Sequence, residues 1–192
     1  TAITFIMGKV CYNTLTFTKV NSVGKDILHA VFSKEYRGRP FNLFDKFAQV
    51  EARYNEFKLL HEKQSLPKLS TYSSWKGHQI RLFFLYLACP LFHSFLPKSP
   101  YTVIQQFVEG TLCISKNSIS DSDIETAIVQ YKLFSLGINS WGDEFMNINE
   151  HNIVHLPEQV RRTGPLWTTS GFHTESDVGE IVKSKLFIQC FD

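Results

Sequence analysis

The run from Trp75 to Phe92, WKGHQIRLFFLYLACPLF, constrains the fold more than any other stretch of this chain. Read at helical period it is apolar on most faces, which suits a helix at the centre of a core and not one on its surface. A central helix needs apolar neighbours, and the chain supplies them: 43% of its 192 residues are hydrophobic and 17 are Phe. That much apolar mass fills one domain of ordinary size and argues against a disordered chain. The most apolar part, Leu82 to Leu96, is interrupted by Pro90 and His93 and has Arg81 at its edge. It is shorter than the ~18–20 apolar residues that a membrane span requires. The opening TAITFIMGKV has neither a basic segment nor a cleavage site and no initiator Met. The expectation is a soluble intracellular protein, not a membrane one, with an incomplete N-terminus.

The segments around this run set the expected architecture. Residues 3–20 alternate apolar and polar with period two in ITFIM and TLTFTKV, which predicts an extended, β-like start. A short apolar helix is expected over Asp26–Ser33, followed by the basic turn KEYRGRP. From 43 to 61 the period changes: Leu43, Phe47, Val50, Tyr54 and Phe57 share one helical face. Further helices are expected over Tyr101–Ile114, after the prolines 97 and 100, and from the capped start at 118–123 to about Trp141. In that capped start Ser122 and Glu125 have capping-box spacing, and Ile124, Ile128, Tyr131 and Phe134 share a face. One helix is expected over Asn147–Arg162, stopped by Gly164-Pro165, and another from Glu175 towards an apolar end. The predicted fold is therefore mainly α with a short β-like N-terminal segment (1–24), a helical middle (25–145) and closing helices (146–192).

Charge and cysteines narrow the function classes. The net charge is +2 and the isoelectric point about 8.3, below the strongly basic range of dedicated nucleic-acid binders. Cys11, Cys89, Cys113 and Cys190 stand far apart without a C-x-x-C pair, the pattern of isolated thiols in a reducing compartment and not of a disulfide framework. Nucleotide-binding Gly-rich loops and the G-x-S-x-G elbow are missing from the sequence.

The residues with chemical potential lie mostly near the C-terminus. HNIVH, His151 to His155, places two imidazoles at i and i+4 on one helical face, the geometry of two zinc ligands. The more ordinary reading of this spacing is two helix-surface or half-buried histidines bonded to neighbours. Asn152 stands where a metalloprotease needs its glutamate, so that reading fails. Glu175 opens a predicted helix with Asp177 and Glu180 nearby, either a dipole partner or part of an acidic cluster. Two-metal phosphoryl chemistry needs more than one carboxylate. Arg37 and Arg39 flank a turn, and Arg161 with Arg162 precedes Gly164; each pair suits a phosphate contact or a solvated face. Trp75 and Trp167 fit core packing better than base stacking.

Several segments in order resemble the C-terminal half of transposase-derived proteins of the CACTA-like group. They are SKEYRGRPFNLFDKFAQVEARYNEFKL (33–59), LPKLSTYSSWKGHQIRLFFLYLACPLF (66–92), SISDSDIETAIVQYKLF (118–134) and, most closely, NEHNIVHLPEQVRRTGPLWTTSGFHTES (149–176). The resemblance implies an RNase H-like core interrupted by a helical insertion, of which this chain would supply the insertion and closing helices. It further implies metal-dependent DNA strand cleavage and transfer in the nucleus, by two Asp and one Glu holding Mg²⁺ or Mn²⁺. Glu175 would be that Glu; His151 and His155 would hold structural zinc with a distant C-x-x-C; Arg37, Arg39, Arg161 and Arg162 are the candidate DNA contacts. The sequence departs from this pattern: TFTK stands at 16–19 where D-x-x-H is expected, His173 and Thr174 replace Pro and Phe, and no C-x-x-C occurs. The expectation is a degenerate or truncated, inactive transposase-derived protein. The alternative is a non-enzymatic nuclear module that binds protein or DNA.

Overall fold

The computed structural model describes residues 18–57 and 67–165. All regular structure among them is helical, without a strand. Helix α1 spans residues 18–32, where the β-like segment had been expected to run on to residue 24 and its alternation to residue 20. The helical period explains the correction at 18–24: Val20, Val23, Ile27 and Val31 are all buried, so Val20 and Val23 continue a spacing of three and four, not of two. The rest of the expected strand, residues 3–17, lies outside the described residues.

A short 3₁₀ turn, Lys34–Tyr36, is capped by Ser33, whose hydroxyl accepts from the Glu35 amide. The basic turn then folds back on α1 because Asn42 donates to the carbonyls of Ala30 and Ser33, at 2.9 and 2.8 Å. Helix α2, Phe47–Glu56, buries Val50 and Tyr54, as its period predicted; the segment expected to carry it to 61 ends here in extended Phe57. The Tyr54 hydroxyl donates to the Pro67 carbonyl at 2.8 Å, and burial pushes its pKa up to about 12.

The central run forms α3 (Gly77–Leu82), one π turn (Phe83–Leu87) and α4 (Ala88–Phe92). Its central place is confirmed: Ile80, Phe83, Phe84, Ala88, Leu91 and Phe92 are buried, and Trp75 at its head is 1% exposed. The Trp75 indole donates to Thr71 and its ring meets Phe83 edge-on, so this tryptophan is a core residue. The π turn has a cause in Pro90, which has no N–H for the carbonyl four residues back and would clash with it. Widening the preceding turn, so that the Ala88 amide reaches the Phe83 carbonyl, accommodates the ring.

Two long helices, α5 (Lys98–Ile114) and α6 (Asp121–Asn139), form the largest contact between described elements. They approach closely at Gly110, where a Cβ would come within 2.9 Å of the Tyr131 ring. Between them the Thr111 hydroxyl donates to the Phe107 carbonyl at 2.8 Å and lies 3.1 Å from the Tyr131 hydroxyl. Because the threonine has a single proton, already given away, Tyr131 is the donor of that second bond. The cap of α6 is Ser120 with Asp123, not Ser122 with Glu125: the Ser120 hydroxyl accepts from the Asp123 amide at 3.2 Å, and the Asp123 carboxylate accepts from the Ser120 amide at 3.0 Å. Lys116 also bonds Asp123, and these contacts hold its carboxyl down at about 2.

Helices α7 (Ile148–Ile153) and α8 (Leu156–Thr163) close the described chain. One continuous helix had been expected over Asn147–Arg162. The break falls at Val154–His155 because Pro157, in the first turn of α8, cannot bond the Ile153 carbonyl. Gly164, at φ +86°, ends α8 as anticipated. Cys89 and Cys113 are unpaired thiols, half-buried, and burial raises Cys89 to about 11. No described helix is long and apolar enough to cross a membrane.

Candidate functional site

The α7–α8 corner holds the histidine pair. Asn147 caps α7 by accepting from the Asn149 amide at 2.7 Å, and Ile153, Leu156 and Val160 anchor the corner in the core. His151 lies in the last turn of α7 and His155 is the cap residue of α8. Although the helix breaks between them, the rings remain neighbours, with centroids 5.4 Å apart and planes at 68°. Both residues are exposed. Structural zinc takes four ligands, and among the described residues no three of His, Cys, Asp or Glu converge. The described residues therefore supply a neighbouring pair and do not make a zinc site. Glu175, with Asp177 and Glu180, lies outside the described residues, and so do Cys11, Trp167 and Cys190.

The four arginines are dispersed. Arg161 pairs with Glu125 on α6 and with Glu158 at 2.9 Å, while Arg162 is exposed beside it. Arg37 pairs with Asp45 at 2.8 Å; Arg39 faces Glu144 at 3.9 Å and donates to the Trp141 carbonyl at 3.5 Å. Glu125 lies near the start of α6 and Trp141 just past its end. At about 1.5 Å per residue the two are roughly 24 Å apart. The two arginine pairs thus sit at opposite ends of the longest described helix, and Arg37, Arg39 and Arg161 already face carboxylates. A phosphate contact there has to compete with these pairs.

A different feature emerges on α6. Its inward face carries Ile124, Ala127, Tyr131, Phe134 and Ile138, as the expected face of Ile124, Tyr131 and Phe134 anticipated; Ile128 is only partly buried. On the opposite face Val129, Leu133 and Leu136 are 52%, 42% and 72% exposed. Spaced by four and three, they form one apolar stripe about 180° from the buried face. Leu133 also lines a groove of about 450 Å³ between α5 and α6, with Val103 and Gly137 on its floor and Lys98, Ser99 and Thr102 on its rim. The sequence carries this second face as a further apolar run, Val129, Leu133 and Leu136, at the same period as the buried one.

No family model, no curated protein and no solved structure matches this chain. The mainly helical architecture rests on the structure itself.

Proposed function

We propose that this chain acts by association and not by turnover, as a transposase-derived nuclear protein-interaction module whose first partner is a second copy of itself. The observation that carries the reading is the solvent-facing stripe Val129, Leu133 and Leu136 on a helix already buried through its other face. A 3–4 apolar spacing is the seam by which one helix packs on another. The same seam, reversed about a two-fold axis near Leu133, is its simplest complement, setting Val129 of one copy beside Leu136 of the other. Three apolar side chains and a groove rim fall short of the ~1,000 Å² that marks a stable interface, so the dimer is weak and exchanging. On the sequence resemblance, the helical body corresponds to the insertion and closing helices of an RNase H-like transposase, which supports descent without requiring strand cleavage. The family chemistry is the contrary reading: Mg²⁺- or Mn²⁺-dependent DNA cleavage or joining that disappears in Glu175→Ala would replace this proposal. Sedimentation velocity from low to high micromolar concentration tests it, with reversible dimerisation expected in the wild type and abolished by Leu133→Glu with Leu136→Glu.

A further inference from the structure

We propose that Asp26 of α1 and Glu150 of α7 form a binding site for one hard divalent cation of the Mg²⁺ or Mn²⁺ type, clasping the two helices together. Glu150 is 2% exposed, and one of its carboxylate oxygens, Oε2, is buried without any hydrogen-bond partner. Such an orphan acceptor costs about 1–3 kcal/mol, more when charged, unless something arrives to satisfy it. Beside the Glu150 carboxyl stands a second one: the Asp26 carboxyl is within hydrogen-bonding reach of it. Asp26 already takes a bond from the Asn147 carboxamide at 3.3 Å, and backbone amides of Asn147 and Glu150 serve the Glu150 carboxyl.

The neighbouring charges do not neutralise the pair. Burial first, then the charges of Glu35, Glu144 and Asp26, raise the Tyr36 pKa, so three carboxylates lie near this hydroxyl. Nearby, the Arg39 guanidinium faces Glu144 and the His29 ring lies 3.4 Å from the Glu35 carboxylate. Two carboxyl groups brought together at a buried position repel each other unless a proton or a cation joins them. The donor set selects the ion. Two carboxylates with no third His, Cys, Asp or Glu among the described residues offer no nitrogen or sulfur for zinc. They also fall short of the six to eight oxygens that Ca²⁺ collects. Mg²⁺ is commonly held by one or two carboxylates with water in its remaining positions, and Mn²⁺ shares this oxygen preference. This site is separate from the dimer seam and does not rest on it.

The test is an electron paramagnetic resonance titration of the full chain with Mn²⁺ after treatment with a chelator, followed by competition with Mg²⁺. One site is expected in the wild type, with affinity at least tenfold weaker in both Asp26→Asn and Glu150→Gln and unchanged in His151→Ala. Circular dichroism establishes that each variant is folded, and the half-buried Asp26 decides the matter alone if Glu150→Gln fails to fold. Absence of Mn²⁺ binding to the wild type, equal binding in the carboxylate variants, or loss of the site in His151→Ala overturns the proposal.

Discussion

Two buried polar contacts, one between α5 and α6 and one between α1 and α7, are built from opposite logic. Between α5 and α6, Tyr131 donates to Thr111 and Thr111 to the Phe107 carbonyl, so each hydroxyl proton has an acceptor. Between α1 and α7, Asp26 and Glu150 bring two acceptors together and leave Oε2 of Glu150 unsatisfied. A closed chain of donors and acceptors rigidifies the core it sits in. A pair of acceptors stabilises nothing until a proton or a cation joins it. The first contact is therefore structural, whereas the second is poised to bind.

The largest perturbation should come from breaking the satisfied pair. Tyr131→Ala is expected to destabilise the fold by about 3–5 kcal/mol, because a fully buried ring against Gly110 leaves a cavity. Urea denaturation measures it, and a loss below about 1 kcal/mol would mean that the α5–α6 contact is not a tightly packed part of the core. Tyr131→Phe sharpens the comparison. It removes only the hydroxyl, leaves Thr111 bonded to Phe107, and should cost about 0.5–1.5 kcal/mol in the same experiment. At the other contact the sign should reverse. With chelator present, Glu150→Gln lets an amide donate to Asp26 and should leave stability unchanged or raise it by up to about 1 kcal/mol; a clear loss would show that the carboxylate was already satisfied.

The smallest effect belongs to the exposed cap of α6. The Asp123 carboxyl, held at about 2 by Lys116 and by the Ser120 amide and hydroxyl, is lowered in the folded state. Its contribution is present above the ordinary carboxylate range near ~3.9 and is lost as pH falls from there towards 2. Thermal melts over that window should decline less steeply for Asp123→Asn than for the wild type, and identical slopes would remove the cap from the account.

Legibility in the sequence followed the strength of local signals. The apolar periods of 47–57 and 121–139 placed their buried faces well, because packing and period agree there. The run around Phe83–Leu87 announced its burial but not its π turn, since Pro90 fixes only that a bond is lost and packing decides how the backbone adjusts. Val20 was misassigned because its period-two neighbours upstream and its helical neighbours downstream overlap at one residue. Ser122 and Glu125 have cap spacing, yet Ser120 does the capping, as the helix starts two residues earlier than that spacing implies. His151 and His155 kept their proximity through an unforeseen break at Pro157, but proximity of two ligands does not assemble a metal site. The Asp26–Glu150 contact joins residues 124 positions apart in sequence. No local pattern marks it, and only the tertiary fold brings it together.

The central claim, that the chain works by association through the outer face of α6, is tested most directly by its sedimentation behaviour. Velocity runs across the micromolar range, on the wild type and on the Leu133→Glu, Leu136→Glu double variant, should give a concentration-dependent dimer for the first and a folded monomer for the second. A wild type that stays monomeric throughout, or a double variant that dimerises equally well, would contradict it.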